Sequence, residues 1–199
     1  MPTATAFEEI FRGAFRWSAF SPHHKVELSS NLVRAGGRWF LFDPIPLCDD
    51  VRARLLALAP VSAIVLTNAN HARDSARWQK LTGATLHVPR QMAAEVPAAE
   101  PLPVGRTHWR GWELEPLDGG APGETAFRLR ESSLVVLGDA MFHLPKHGLD
   151  VLPEKYSRDH LGLRRQLRAF CADPFDCALF AHGSPLRHDA SQQMARKLS

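Results

Sequence analysis

The order of predicted elements implies an α/β sandwich, with two sheets packed face to face and helices outside, folded as one domain over residues 1–199. Strands come first, strand–helix alternation follows, and strands with a further strand–helix pair then return, a two-half arrangement. The sharpest local signal is the apolar run Ile64, Val65, Leu66, a short buried strand, followed by a polar cluster and a helix that closes at Gly83. That cluster therefore sits where a strand ends and a helix begins, the edge at which α/β folds collect ligands and catalytic groups. No short-period repeat interrupts the pattern.

Taken in order, Phe7, Ile10 and Phe11 around Glu8 and Glu9 predict a short amphipathic lead-in. From Gly13 to Phe20, Phe15, Trp17 and Ala19 alternate with Arg16 and Ser18, the period of a strand. Val26 to Arg34 and Trp39 to Phe42 form two strands of a hairpin joined through Gly36 and Gly37, ended by Asp43-Pro44. Asp49 and Asp50 suit a helix N-terminus, with Val51, Leu55, Leu56 and Leu58 as the apolar face. After the Val61 to Thr67 strand and the Asp74 to Leu81 helix come a strand over Thr85 to Val88 and a helix from Pro89 carrying Met92, Ala93 and Val96. Residues 97–103 are an Ala/Pro-rich connection. Trp109 to Leu114, Ala126 to Leu129 and Leu134 to Leu137 predict three strands of a second sheet. Phe142 to Tyr156, rich in His, Pro and Gly, predicts a long covering loop. Arg158 to Ala172 is a helix, Cys177 to Phe180 the last buried strand and Asp189 to Leu198 a polar closing helix.

Composition narrows the function class. Of 199 residues, 45% are hydrophobic and 23% charged, ordinary for a soluble globular domain with a full core. The net charge of +3 comes from scattered residues, with no basic stripe or interleaved aromatics, so nucleic acid is not an expected partner. Cys48, Cys171 and Cys177 are odd in number and lack CxxC spacing, which fits a reducing compartment. No charged start leads into a long apolar run, so neither a signal peptide nor a membrane span is expected, and the cytoplasm is the expected location.

The polar cluster reads Thr67-Asn68-Ala69-Asn70-His71-Ala72-Arg73-Asp74. Further landmarks are Trp39-Phe40-Leu41-Phe42-Asp43-Pro44, the loop Pro116 to Glu124, the strand end Leu137-Gly138-Asp139, and Phe180-Ala181-His182-Gly183. Each fragment alone is unspecific, but in this order and at these intervals they resemble the metallo-β-lactamase fold over most of the chain. The resemblance implies a four-layer αββα sandwich. It aligns Asn68, Asn70, Ala72 and Arg73 with metal-ligand positions of the family's Thr-His-x-His-x-Asp-His motif, and Gly120 with the histidine of its Pro-Gly-His-x-x-Gly loop. Asp139 and His182 keep the ligand types that the family places there.

The chemistry of the replacements matters. An Asn amide oxygen is a weak ligand, Ala offers none, and Arg is a permanent cation without a lone pair. The resemblance therefore implies a hydrolase-like protein with an eroded dinuclear site and no metal cofactor. Such a protein binds a small molecule or partner in a pocket formed by Asn68, Asn70, His71, Arg73 and His143, with Asp139 and His182 in the catalytic positions. Arg73 is expected to stand where a metal would and pair with Asp139. Asn68, Asn70 and Asp74 also suit a strand-to-helix turn that satisfies free N–H groups. The alternative is a mononuclear hydrolase of a small ester or thioester, with zinc or another divalent metal on His71, Asp139 and His182. His143 and His147 lie at i, i+4, but Pro145 between them argues against a helical metal pair. His182-Gly183-Ser184 places a hydroxyl beside an imidazole, a weak signal for a serine nucleophile. Substrate and oligomeric state are not legible from the sequence.

Overall fold

The computed structural model describes residues 1–96 and 98–199. Its first sheet follows chain order through β1 (Glu8–Phe11), β2 (Ala14–Ser21), β3 (Val26–Ala35), β4 (Arg38–Phe42), β5 (Val61–Val65), β6 (Thr85–Val88) and β7 (Ala99–Pro101). The first four strands pair antiparallel through short turns. From β4 to β7 the pairing is parallel. Parallel neighbours need crossovers, supplied here by α1 (Asp49–Leu58) and α2 (Ser75–Thr82).

The second half contains β8 (Thr107–Trp109), β9 (Trp112–Pro116), β10 (Thr125–Leu129) and β11 (Leu134–Leu137). It continues with β12 (Met141–Leu144), β13 (Gly148–Val151), α3 (His160–Cys171), β14 (Cys177–Phe180) and α4 (Ala190–Leu198). The second sheet has the order β14-β11-β10-β9-β8, with β14 parallel to β11, while β12 and β13 pair as a separate hairpin.

Side-chain alternation on the strands creates three apolar layers. Leu41 and Ile64 face outward from the first sheet, onto Leu55 of α1 and Trp78 of α2. The indoles of Trp17 and Trp78 both donate to the Ile45 carbonyl, each at 3.1 Å, so this layer satisfies its buried polar groups. Phe40, Phe42 and Val65 face the other way and meet Trp112, Phe127 and Val136 between the sheets. Val135, Leu137 and Phe180 then face outward from the second sheet onto Leu163, Leu167 and Met194 of α3 and α4. Three apolar layers separating helices, sheet, sheet and helices are the expected four-layer sandwich.

Several local expectations are corrected. The lead-in is the edge strand β1, pairing with β2. Trp109 to Leu114 is two strands, because Arg110 and Gly111 both adopt positive φ (52° and 94°) and turn the chain into a tight hairpin. The covering loop is the β12–β13 hairpin, with Pro145 in its turn, where a missing N–H costs nothing. Beyond Pro89 only a single 3-10 turn forms (Arg90–Met92), since the chain is drawn back to pair as β7. The connection expected over 97–103 contains β7, and Pro97 lies outside the described residues. Leu58, expected on the apolar face of α1, is 62% exposed. Among the described residues no helix is long and apolar enough to cross a membrane.

His87 on β6 is 1% exposed and packs edge-on against Trp109. Burial, reinforced by the Arg110 cation, pulls its imidazole down to about 4 against the opposing pull of Glu100. The unfolded chain therefore binds a proton that the folded chain refuses between pH 6.5 and about 4. Stability should fall as pH drops through that window, by up to about 3 kcal/mol from this group. Urea denaturation at pH 7 and pH 4.5 should show a smaller acid loss for His87→Phe than for the parent chain; equal losses would contradict the assignment.

Candidate metal centre

The polar centre lies at the C-terminal ends of four strands. Asp43 follows β4, Thr67 to Arg73 follow β5, Asp139 follows β11 and His182 follows β14. Both pairs, β4 with β5 and β11 with β14, are parallel, so their ends open on the same side and bring these residues together.

Asp43 is the internal support. It is buried and sits at φ 47°, a left-handed position that Asp tolerates better than most residues. Its Oδ1 accepts the Thr67 N–H at 2.8 Å and its Oδ2 accepts the Thr67 hydroxyl at 2.6 Å. Oδ2 also lies 3.0 Å from Nδ1 of the buried His71. Burial opposes the charge on Asp43, but His71, Arg73 and Thr67 together hold the carboxyl below its usual range. The first carboxylate thus fixes the His71 ring and points its Nε2 outward.

That Nε2 lies 3.1 Å from Asp139 Oδ1, and His182 Nε2 lies 3.0 Å from the same oxygen. His182 Nδ1 is in turn 3.0 Å from the Glu27 carbonyl. Each imidazole therefore stands between two acceptors, making four such contacts in all. A neutral imidazole carries one N–H, so with both rings neutral two of the four contacts would lack a proton. Burial would pull His71 down, yet Asp139 and Asp43 outweigh it and push the ring up to about 9. Burial, aided by Arg73 and His71, lowers His182 despite its contact with Asp139. Asp139 itself is held well below the usual carboxylate range by the two rings, in spite of burial.

The donor set fits a divalent cation. One atom each from His71, Asp139 and His182 falls within 4.8 Å of the other two. Bonds of about 2.0–2.1 Å in a tetrahedral site place neighbouring ligand atoms roughly 3.3 Å apart, close to the 3.0 and 3.1 Å observed. Ligating imidazoles almost always give their other ring N–H to a carboxylate or carbonyl, and Asp43 and the Glu27 carbonyl stand in those places.

Arg73 corrects one expectation. It does not pair with Asp139, whose ion-pair partners among the described residues are His71 and His182. Its Nη1 donates to the carbonyls of Ser29 (2.6 Å) and Asp43 (2.9 Å), and its Nη2 to that of Ala181 (3.2 Å). Carbonyls from within β3 and just past β4 and β14 converge there, and the fork geometry of a guanidinium satisfies all three. Nη2 also lies 3.4 Å from His71 Nε2, so the cation stays beside the centre without entering it.

The remaining predicted residues divide. Asn68 is fully buried; its Oδ1 accepts the Asn70 N–H and its Nδ2 donates to Glu124 Oε2 at 2.8 Å, so it shapes the turn. Asn70, His71, Arg73, Asp139 and His182 line a cleft of about 910 Å³. His143 is not on that wall: β12 alternates, turning Phe142 and Leu144 to the cleft. Asp74 occupies the N-cap position of α2 without a side-chain capping bond.

Two groups were missed in the sequence. Asp43 was legible only as the end of a hairpin, although a lone acid directly after Phe40-Leu41-Phe42 must find a partner. Glu124 is also buried, accepting the N–H groups of Asp139 and Ala140 as well as the Asn68 amide. Burial and the neighbouring Asp139 charge raise its carboxyl to about 8. Its side chain occupies the space that a Cβ on Gly120 would enter, 3.0 Å from such an atom. The methylene stem of Glu124, whose carboxyl braces the Asp139 turn, thus crowds the loop position aligned with a family histidine.

Two β-sheets between helices, with a polar centre at the shared strand ends, define the metallo-β-lactamase fold. A sequence profile of the metallo-beta-lactamase superfamily matches residues 11–179, and the chain belongs to that superfamily. Among solved structures it is similar to TMB-1 (TM-score 0.74, 13% identity, covering 100% of this chain and 98% of the other). It is also similar to the DIM-1 metallo-beta-lactamase (0.73, 15%, 99% and 97%) and to the mono-zinc form of FIM-1 from Pseudomonas aeruginosa (0.71, 15%, 100% and 95%). No curated protein matches the sequence.

The role of Asp43 can be isolated with Asp43→Asn, which keeps the size and tolerates the left-handed backbone but removes the charge facing His71. Loss of one partner of a buried pair should destabilise the fold by about 3 kcal/mol or more. Urea denaturation reads this directly, and a loss under 0.5 kcal/mol would contradict the bracing role.

Proposed function

We propose that the protein is a single-metal hydrolase of a small ester or thioester, with His71, Asp139 and His182 as the ligands. The observation that carries this reading is the convergence of the two imidazole Nε2 atoms on one Asp139 oxygen, each ring backed at Nδ1 by a further acceptor. His71, Asp139 and His182 would hold a divalent cation through the two Nε2 atoms and the carboxylate, leaving both Nδ1–H groups to Asp43 and the Glu27 carbonyl. Three protein ligands with room for a water is the usual composition of a catalytic zinc site. FIM-1, of the same fold, has been solved in a mono-zinc form.

When bound, such a cation supplies a Lewis acid and lowers the pKa of a coordinated water. The chain's own groups do the rest. Asp43 and the Glu27 carbonyl hold the ring protons on Nδ1, keeping both Nε2 lone pairs directed into the cleft. Arg73, anchored on three carbonyls, presents a fixed positive charge at the wall, where negative charge developing on a substrate oxygen is stabilised without reorganisation. Val26, Leu28, Phe142, Leu144 and Val151 give one wall an apolar character suited to an acyl chain or other nonpolar group.

A second reading, a metal-free binding pocket, is favoured by Arg73. Its cation already stands 3.4 Å from His71 Nε2, and with a protonated His71 it compensates the carboxylates. Elemental analysis of protein purified without a metal-affinity tag, and again after incubation with zinc, manganese or iron, separates the two. The hydrolase reading expects about one metal per chain, lost in Asp139→Ala and His182→Ala, together with turnover of small aryl esters or thioesters that those variants lack. No retained metal under any condition would overturn it in favour of the pocket.

A further inference from the structure

Arg16 lies on the middle of β2, where the sequence alternation makes it a polar residue between Phe15 and Trp17. It is nevertheless only 6% exposed. Its Nη2 donates to the Gly183 carbonyl at 2.7 Å, to Glu27 Oε1 at 2.7 Å and to Ser29 Oγ at 3.0 Å. Its Nη1 donates to Glu8 Oε1 at 3.1 Å. Two of these partners belong to the immediate surroundings of His182. Gly183 is the next residue, and Glu27 is the residue whose backbone carbonyl faces His182 Nδ1.

We propose that Arg16 is the positioning residue of His182, gripping the turn that carries the ring and the residue that receives its Nδ1 proton. The inference rests on the single-metal reading for its consequence, though not for its geometry. A buried guanidinium is costly unless its donors are used; here Nε has no partner, but the two terminal nitrogens tie together β1, β2, β3 and the turn after β14. The turn has little freedom of its own. Gly183 sits at φ 84°, and a Cβ there would approach the His143 carbonyl oxygen to 2.0 Å. On its other side, the His143 N–H donates to the His182 carbonyl and the Ser184 N–H to the His143 carbonyl. β12 therefore closes the turn from one side and Arg16 holds it from the other. His71 has a separate support in Asp43, on the opposite side of the centre. Weakening the Arg16 grip should displace one ring and spare the other.

The test compares Arg16→Gln and Arg16→Lys with the parent chain by two readouts. In metal-free protein, the ring ¹⁵N signals of His182 should move in Arg16→Gln while those of His71 stay in place. Zinc affinity should fall about 10- to 100-fold, as is usual when the outer support of a ligand is removed. Arg16→Lys, which keeps a cation able to reach one of the two partners, should recover part of that loss. If Arg16→Gln does not fold, Glu27→Ala removes one arm of the grip while keeping the backbone carbonyl, and should weaken zinc binding in the same direction. Unmoved His182 signals, or signals of both rings shifting together, would overturn the positioning role, as would unchanged zinc affinity in a chain that binds zinc. If the parent chain binds no zinc, the single-metal reading fails, and selective movement of His182 still supports the role of Arg16.

Discussion

The centre depends on a single carboxylate oxygen shared by two imidazoles. Asp139 Oδ1 lies about equally far from the Nε2 atoms of His71 and His182, and each ring has a second acceptor behind it. Such an arrangement leaves two of the four contacts without a proton whenever both rings are neutral. The surrounding structure is organised to keep the oxygen and both nitrogens in place despite that. Glu124 accepts the N–H groups that flank the Asp139 turn, Asp43 holds His71, and Arg16 with Glu27 holds His182. Buried polar groups of this density are costly where a partner is lacking, as at Arg16 Nε, and hold one another in place where they are paired. The convergence of two ring nitrogens on one carboxylate oxygen is the most informative feature of the site.

The fold makes this possible through its two parallel strand pairs. β4 with β5 and β11 with β14 end on the same side, so four chain segments far apart in sequence deliver their first residues to one place. Three apolar layers hold the four layers of secondary structure rigidly enough for contacts near 3 Å to persist between sheets. Arg73 extends that logic. Its guanidinium joins the Ser29 carbonyl within β3 to carbonyls just past β4 and β14 and so links the two sheets at the rim of the cleft.

Much of the architecture was legible in the sequence, because period-2 alternation and strand–helix order are local signals. The errors fell where tertiary pairing decides the outcome: the turn at Arg110-Gly111, the β12–β13 hairpin and the strand β7. Asp139 and His182 were legible from their strand-end motifs. His71 was harder, since it occupies a spacer position of the pattern that the chain resembles; its direction is set by Asp43, 28 residues earlier. Arg73 was expected in the metal's place and on Asp139; it lies instead beside the centre, because it is held by carbonyls that come from three separate segments of the chain. Arg16 and Glu124 carry no local signal at all. An arginine in an alternating strand and a glutamate in a loop read as solvated until the second sheet covers them.

X-ray absorption at the zinc edge of the loaded protein tests the central claim most directly. The account predicts one site with two imidazole nitrogens and an oxygen shell from Asp139 and solvent, with one imidazole lost in His71→Gln. Zinc bound through sulfur, or with no imidazole in its shell, would place the metal elsewhere on the chain and contradict the account.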